Sequence, residues 1–219
     1  MAELRFSFGT MGSGKSTLAL QINHNLASRG LRGALLTQLD RQLARVSSQL
    51  GVSAAAIDVT PETDLFELAR NIAVREGSLS FLVCDETQFY LPSQIEQLAR
   101  VVDSLQADVY AFGLLTDFRG RLFPGSARLL ELSDHCQELQ VEARCWCGRR
   151  ATHNARLVDG EQVYEGELMV VDDPERAPEV RYELRCRVHW HQGKGPQMAL
   201  HLDDDSVPVV ESVLPAERS

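Results

Sequence analysis

A short run near the start of the chain, Gly9-x-x-x-x-Gly14-Lys15-Ser16, limits what this sequence can fold into more than any other feature. It follows an alternating apolar segment, Leu4–Phe8, and opens a helical stretch from Lys15 to about Ser28. A glycine-rich loop between a strand and a helix is the arrangement that binds nucleotide phosphates. The alternative, a glycine-rich turn with a surface lysine, is disfavoured by the flanking strand and helix.

The residue types in this loop suit phosphate binding. Gly12 and Gly14 tolerate positive φ angles and carry no side chain, so the backbone N–H groups of residues 12 to 17 can surround a phosphate. The amino terminus of the following helix adds partial positive charge. We expect Lys15 to contact the β and γ phosphates and the Ser16 hydroxyl to be a ligand of Mg²⁺.

Two adjacent carboxylates, Asp85 and Glu86, follow the apolar run Leu79–Cys84. Such a run predicts a buried strand that delivers polar groups to its carboxyl end. Asp85 suits direct or indirect Mg²⁺ coordination. Glu86 would point elsewhere because side chains alternate along an extended chain, and it can act as a general base. These residues leave open whether the nucleophile is water or a substrate hydroxyl, and a solvated pair at a strand end is the other interpretation.

Strand and helix patterns alternate through the first two thirds of the chain, which predicts an α/β domain with a mostly parallel sheet covered by helices on both faces. With the phosphate loop, the expected class is a P-loop (RecA-like) fold, with the catalytic groups beyond the carboxyl ends of the strands. The further predicted elements are strands at Ala34–Leu39 and Val109–Leu115, and helices from Thr60 to about Gly77 and at Pro92–Leu105.

Length and charge restrict the classes of function. The 219 residues suit one mid-sized domain with a small addition. A net charge of −9 argues against nucleic-acid binding. No apolar run approaches the roughly 18 residues that span a bilayer, and the start of the chain lacks a leader pattern, so we expect no membrane association and a cytoplasmic location. We place a domain boundary near residue 140, a small β lobe over 141–190 with a hairpin at Asp159-Gly160, and a disordered acidic tail over 191–219.

Several segments, taken together, resemble the type II, zinc-containing thymidine kinases over about residues 3 to 190. The phosphate loop is one of them, and Asp85-Glu86-Thr87-Gln88-Phe89-Tyr90 is similar to that family's Asp-Glu-x-Gln-Phe-Phe motif. The others are Gly113–Arg119 followed by Phe123–Ser126, Cys147–Ala151, and Cys186-x-x-His189. Helicases also carry an Asp-Glu-x-x sequence at a strand end. They need two such lobes and a basic surface for nucleic acid, whereas this chain has room for one lobe and is acidic.

The resemblance implies transfer of the ATP γ-phosphoryl group to the 5′-hydroxyl of thymidine, and of deoxyuridine, with Glu86 as general base. It also implies a homotetramer. The alternative is a P-loop ATPase switch whose second lobe binds a partner protein. The residues that the resemblance assigns to ATP are Gly9, Thr10, Met11, Gly12, Ser13, Gly14, Lys15, Ser16, Thr17, Asp85, Glu86, Thr87 and Gln88.

The resemblance further implies a nucleoside pocket with apolar and aromatic walls, which suit a methylated pyrimidine. A lid loop is expected to contribute backbone groups, although Asp172 stands where the family usually has glycine. Arg119 is either a second phosphate-binding cation or a surface arginine. The pocket residues implied by the resemblance are Met11, Phe89, Leu114 and Phe118, with Met169, Val170, Val171, Asp172 and Tyr182 from the lid and its flank.

The resemblance also implies a structural zinc held by Cys145, Cys147, Cys186 and His189. A Cys₃His set is sound chemistry for a closed zinc site. The first pair is C-x-C rather than the family's C-x-x-C, and two residues on one face of an extended strand could still reach one metal. The alternative is free buried thiols without zinc. Fallback ligands are Cys136, His153 and His191, and Cys84 is expected to be structural.

Overall fold

The computed structural model describes residues 1–38, 45–47, 53–168, 179–193 and 195. Its centre is a six-stranded sheet in the order β5-β2-β6-β7-β1-β8, and every pairing in it is parallel. The mostly parallel α/β sheet expected from the sequence is therefore confirmed. The strands of this sheet are β1 (Leu4–Phe8), β2 (Gly33–Thr37), β5 (Ile57–Asp58), β6 (Phe81–Cys84), β7 (Asp108–Gly113) and β8 (His135–Glu138).

Helices cover both faces of the sheet. The main helices are α1 (Lys15–Ser28), α2 (Leu65–Glu76), α3 (Pro92–Leu105) and α4 (Pro124–Leu132). One apolar cluster joins α2, α3 and α4 to one face, and a second joins α1 and the β3 (Arg45–Ser47) and β4 (Ser53–Ala55) hairpin to the other. Leu36 and Leu82 belong to the first cluster, whereas their neighbours Leu35 and Val83 belong to the second. Burial on both faces explains why the central strands are continuously apolar.

The structure corrects the start of α2, which the sequence placed at Thr60-Pro61. Residues 60–63 instead form a separate turn, in which the Thr63 N–H donates to the Thr60 carbonyl oxygen at 3.0 Å. The helix begins at Leu65, and the carboxylate of Asp64 accepts the Glu67 N–H at 2.9 Å. An aspartate cap satisfies an amide that has no partner within the helix, so the helix starts after Asp64 and not at the proline three residues earlier.

Several elements of the sheet domain were not predicted, namely β5, the β3–β4 hairpin, α4 and β8. α4 starts at Pro124, in a segment that the sequence placed only in the nucleoside pocket. β8 is an edge strand with four exposed residues, so it carries no apolar alternation that a sequence pattern could show.

The second lobe is a three-stranded antiparallel sheet in the order β10-β9-β11, followed by a short helix. Its elements are β9 (His153–Val158), β10 (Glu161–Val163), β11 (Val180–Arg185) and α5 (Arg187–Gln192). Asp159 and Gly160, with φ angles of 50° and 87°, join β9 to β10. Two positive φ angles are what a two-residue hairpin turn of this kind requires, so the hairpin is confirmed. α5 extends past residue 190, and residues 196–219 of the predicted tail lie outside the described part of the chain.

Several polar contacts between described residues connect the lobes, among them an ion pair between Arg150 and Glu138 of β8. The backbone N–H of Met11, in the glycine-rich loop, donates to the side-chain oxygen of buried Asn154 on β9 at 2.9 Å. The indole N–H of Trp190 on α5 donates to the Phe118 carbonyl oxygen at 3.1 Å. Among the described residues, no helix combines the length and apolar character needed to cross a membrane.

Candidate active site

The glycine-rich loop lies at the carboxyl end of β1 and opens into α1. Gly12 and Gly14 have φ angles of 69° and 84°, as the sequence predicts. Gly14 is the N-cap of α1 and supplies no side-chain cap, so the first amides of the helix are available to an anion. Gly9 is needed for a different reason, because a Cβ there would lie 2.4 Å from the Ser13 hydroxyl and 2.5 Å from the Leu139 carbonyl oxygen.

Lys15 is largely buried, and its ammonium group is held by the loop itself. Its Nζ donates to the Thr10 carbonyl oxygen at 2.7 Å, with longer contacts to the Gly9 carbonyl oxygen and the Ser13 hydroxyl at 3.4 Å. Burial lowers the pKa of Lys15, and the carboxylates of Glu86 and Asp85 act in the opposite direction. The loop therefore keeps a poorly solvated cation beside two acids.

Asp85 follows β6 and is almost fully buried. Its Oδ1 accepts the Glu86 backbone N–H at 3.0 Å, and the nearby Ser16 hydroxyl favours its ionised form. Burial raises the pKa of Asp85, whereas the Ser16 hydroxyl, the bond from Glu86 and the charge of Lys15 oppose that rise. A neighbouring hydroxyl and carboxylate supply the hard oxygen ligands that Mg²⁺ prefers, so these two residues fit that ion.

Glu86 turns away from Asp85 for a reason that differs from the sequence argument. β6 ends at Cys84, and Glu86 has the left-handed backbone conformation, with φ 55° and ψ 32°. A non-glycine residue in that region is strained by roughly 1–3 kcal/mol and persists only where its surroundings hold it. Burial, followed by the charge of Asp85, raises the pKa of Glu86, and a hydrogen bond from Gln88 opposes the rise. The result is a carboxyl group that ionises less readily than an exposed glutamate.

A cavity of about 720 Å³ opens over the loop, which is a size typical of ligand sites. It joins the amino terminus of α1 to the turn after β6 and to one face of the second lobe. The cavity is lined by Met11, Gly12, Gly14, Lys15, Ser16, Thr17, Glu86, Gln88, Phe89, Leu114, Val141, Tyr182 and Leu184. Five of the residues that the resemblance assigns to ATP are not among the lining residues, namely Gly9, Thr10, Ser13, Asp85 and Thr87.

The pocket residues suggested by resemblance divide into three groups. Met11, Phe89, Leu114 and Tyr182 line the cavity. Phe118 does not line it, since its side chain is buried, with the Arg156 guanidinium 5.0 Å from its ring centroid. Residues Met169, Val170, Val171 and Asp172 lie outside the described part of the chain.

The sequence allows Arg119 to be either a phosphate-binding cation or a surface arginine. Its guanidinium is bound to the buried carboxylate of Asp117, with N–O distances of 2.7 and 2.8 Å. Asp117 also accepts the backbone N–H groups of Arg119 and Arg121, each at 2.9 Å. In this structure Arg119 therefore closes a turn and is not part of the cavity lining.

The sequence analysis missed two residues that line the cavity, Leu184 and Val141, and one that supports its wall, Asn154. Asn154 holds the Met11 amide, and Leu184 and Val141 add apolar wall. Leu184 pairs with Asn154 across the β9–β11 ladder, two residues beyond Tyr182, so strand alternation would have found it from the predicted Tyr182. Val141 lies in an irregular segment and carries no such signal.

Cys145, Cys147, Cys186 and His189 converge in the second lobe, with their ligand atoms all within 4.8 Å of one another. The Nδ1 atom of His189 lies 3.3 Å from Cys145 Sγ and 3.6 Å from Cys186 Sγ, and the Cys147 and Cys186 sulfurs are 4.0 Å apart. Tetrahedral zinc with Zn–S bonds of about 2.3 Å requires sulfur atoms about 3.8 Å apart. The four side chains therefore fit a structural zinc ion.

The two cysteines of the C-x-C pair meet through a turn, not through alternation on a strand. The Gly148 N–H donates to the Cys145 carbonyl oxygen at 2.8 Å, and Gly148 has a φ of 80°. The Arg149 guanidinium donates to Cys147 Sγ at 3.5 Å and lowers the pKa of that thiol to about 6. The fallback ligands Cys136, His153 and His191 do not belong to the cluster.

Comparison with known proteins agrees with this geometry. The family model described as thymidine kinase matches residues 2–190. A thymidine kinase of Streptomyces avermitilis is 54% identical over 216 residues, covering 97% of this chain and 100% of that protein. Thymidine kinases of Streptomyces coelicolor and Cutibacterium acnes are 49% and 50% identical, over 95% and 88% of this chain and 99% and 90% of theirs. The chain therefore belongs to the thymidine kinase family.

Proposed function

We propose that the protein is a thymidine kinase that transfers the γ-phosphoryl group of ATP to the 5′-hydroxyl of thymidine. The observation that supports this most is that one cavity joins a phosphate-binding loop to an apolar wall, with Glu86 between them. An ATPase switch needs the loop and the carboxylate but has no use for that wall. The family membership and the names of the relatives point to the same reaction.

The acceptor is proposed from the chemistry of the wall. Phe89, Leu114 and Tyr182 present aromatic and apolar surface, which suits an uncharged pyrimidine ring. The wall favours thymidine over deoxyuridine by the burial of one methyl group, about 0.8 kcal/mol, or roughly fourfold in affinity. Deoxyuridine is therefore the second acceptor in this proposal. Backbone groups of the lid, over residues 169–172, remain predicted contacts to the base.

The proposed mechanism relies on positioning and on one base. Glu86 accepts the proton of the 5′-hydroxyl as that oxygen bonds to the γ-phosphorus and the bond to the ADP oxygen breaks. Burial keeps the pKa of Glu86 above its usual value, which makes its carboxylate a stronger base than that of an exposed glutamate. The amides at the start of α1 bind the phosphates and orient them toward the acceptor.

Two metal ions belong to the proposal. Ser16 and Asp85 would hold the Mg²⁺ of the nucleotide, which supplies charge neutralisation on the phosphates when bound. Lys15, already confined within the loop, would add a second positive charge there. Cys145, Cys147, Cys186 and His189 would hold one structural zinc that orders the second lobe.

The direct test is ADP release with ATP and magnesium, measured with thymidine, deoxyuridine, deoxycytidine or no nucleoside. We expect thymidine and deoxyuridine to stimulate release and deoxycytidine to be inert. Glu86→Gln should lower kcat by about 10²- to 10⁴-fold while ADP still binds. Glu76→Gln, an exposed glutamate on α2, is the matched control. Release independent of nucleoside would favour the ATPase switch, and a Glu86→Gln enzyme with full turnover would contradict the base assignment.

The homotetramer remains a prediction carried by the resemblance. Light scattering coupled to size exclusion measures it directly, because four chains of 24.4 kDa give a mass about four times that of one.

A further inference from the structure

Gln88 makes two hydrogen bonds at the centre of the candidate site. It lies on the single-turn 3-10 helix Thr87–Phe89, and its side chain is 1% exposed. Its amide nitrogen Nε2 donates to Oε2 of Glu86 at 2.5 Å. Its amide oxygen Oε1 accepts the backbone N–H of Leu114, just beyond β7, at 2.9 Å. One side chain thus joins the turn after β6 to the end of the neighbouring strand.

The chemistry of the two partners determines which way the Gln88 amide faces. A backbone N–H only donates, so Leu114 requires the amide oxygen. A carboxylate only accepts when ionised, so Glu86 requires the amide nitrogen. One orientation of the amide meets both requirements. In the flipped orientation the amide nitrogen would face the Leu114 N–H, donor against donor, and the amide oxygen would face the Glu86 carboxylate, acceptor against acceptor. The side chain therefore has a single low-energy placement.

The groups around Gln88 leave it little freedom. The Leu114 carbonyl oxygen accepts the Ser126 hydroxyl at 2.5 Å, so both backbone groups of Leu114 are bound by side chains. A Cβ on Gly113 would lie 2.8 Å from Gln88 Oε1 and 2.9 Å from the Thr87 hydroxyl. The glycine thus leaves the space that the amide occupies.

The same contact selects one oxygen of Glu86. Oε2 is bound by Gln88, whereas Oε1 receives no hydrogen bond from any of the described residues. Glu86 also has a strained left-handed backbone, so its side-chain direction depends on the contacts that hold it. Removing the Gln88 donor would release the carboxylate to rotate about its side-chain torsions.

We propose that Gln88 is a positioning residue that holds Glu86 with Oε1 free for the acceptor hydroxyl and sets its distance from the Leu114 side of the cavity. This inference rests on the proposed role of Glu86 as base. Gln88 itself takes no proton and forms no bond to the phosphoryl group. Its effect is on the geometry of the base and of one wall together, which is where displacement of about 1 Å costs roughly 100-fold in rate.

The test uses two substitutions of Gln88 that remove different hydrogen bonds. Gln88→Met removes both hydrogen bonds at similar length, and Gln88→Glu, assayed at a pH that ionises it, keeps an acceptor for the Leu114 amide but removes the donor to Glu86. We expect kcat to fall about 10- to 100-fold in both variants, with the KM for thymidine within about threefold for Gln88→Met. Gln88→Glu also adds negative charge, so the KM comparison relies on Gln88→Met.

Gln97→Met is the matched control, because Gln97 Oε1 accepts the Leu65 backbone N–H at 2.8 Å at a site that does not line the cavity. It should lower thermal stability and leave kcat unchanged. Equal losses of kcat in Gln97→Met and Gln88→Met would overturn the proposal, since the effect would then be structural. If Glu86→Gln is inactive but both Gln88 variants keep full turnover, the positioning role of Gln88 is overturned and the base role of Glu86 stands. Full turnover in Glu86→Gln would overturn the base and the positioning together.

Discussion

The two lobes of this protein are held together by different forces. The sheet domain encloses large aliphatic and aromatic side chains on both faces of its strands. The buried apolar residues of the second lobe are few and mostly small, and its largest fully buried side chain is Arg185. From this difference we expect hydrophobic burial to maintain the first lobe and polar contacts with the Cys₃His cluster to maintain the second.

The polar contacts of the second lobe are individually costly. Arg185 is fully buried and is bound by Gln162 and Glu183, and the Nε atoms of Arg185 and Arg156 have no hydrogen-bond partner among the described residues. Burying cations stabilises little unless every donor is satisfied. Cys147 and Cys186 are 39 residues apart, and closing such a loop costs about 3 kcal/mol. Structural zinc binds peptides with about 10–16 kcal/mol, which exceeds that cost.

The largest expected effect is therefore removal of a zinc ligand. Cys186→Ser should release the metal and open the second lobe while the sheet domain stays folded. Hydrogen exchange would show loss of amide protection in β9 and β11 and retention in β6 and β7. Cys136→Ser, at an exposed cysteine outside the cluster, is the control. Protection unchanged in β9 and β11 of metal-free Cys186→Ser would contradict the dependence on metal.

The next effect tests the sheet domain. Leu82→Ala creates a cavity in the apolar cluster beneath α2 to α4 and should lower the free energy of unfolding by about 2–5 kcal/mol. Urea titration with and without chelator measures it. Val74→Ala, at an exposed position on α2, should change stability by less than about 0.5 kcal/mol. If a chelator lowered the free energy of unfolding of the wild-type sheet domain by more than Leu82→Ala does, the stability of the first lobe would depend on the metal of the second.

A smaller effect is expected from Trp146, whose ring packs on the Cys₃His cluster. Trp146 stacks on His189 with centroids 4.0 Å apart and an interplanar angle of 17°. Trp146→Ala should weaken the lobe by about 0.5–1.5 kcal/mol and the zinc affinity by roughly 10-fold. Competition with a chromophoric chelator measures the affinity. Trp146→Phe keeps a stacking ring and should lie near wild type, and equal loss in both variants would exclude stacking as the cause.

The smallest effect concerns the buried acid of the sheet domain. Burial and Asp85 raise the pKa of Glu86 above its usual 4.5, so ionising it destabilises the folded state, and stability is lost as pH rises through the raised pKa. Glu86→Gln removes that loss. Its melting temperature should exceed that of wild type at pH about 8 by a few degrees, with a gap that closes toward pH about 5. A gap constant with pH, or one shared by Glu76→Gln, would contradict this assignment.

The sequence predicted the fold class because its signals were local. The conformations of the glycine-rich loop, the apolar runs and the Asp159-Gly160 turn are each determined by a few neighbouring residues. The zinc set was named from a resemblance, and the distances within the cluster agree with it. The roles of the cavity residues remain predictions.

What the sequence missed depends on contacts between distant segments. The side chains of Asp85 and Glu86 point in different directions because Glu86 has a left-handed backbone conformation. No residue type at these positions predicts that conformation. The burial of Phe118 depends on Arg156 and Trp190, which come from the other lobe. Asn154, a polar residue in a buried strand, matters because it meets the Met11 amide across more than 140 residues of chain.

Trp190 gives the protein an optical reporter of its own. Its indole donates to the Phe118 carbonyl oxygen, stacks on His153 with centroids 4.6 Å apart, and lies where a Cβ on Gly120 would come within 2.9 Å of the ring. The ring is thus packed against both lobes at their junction. In a Trp146→Phe background it is the only tryptophan, since the chain has two. Its emission spectrum would then record attachment of the lobes in real time, without a label.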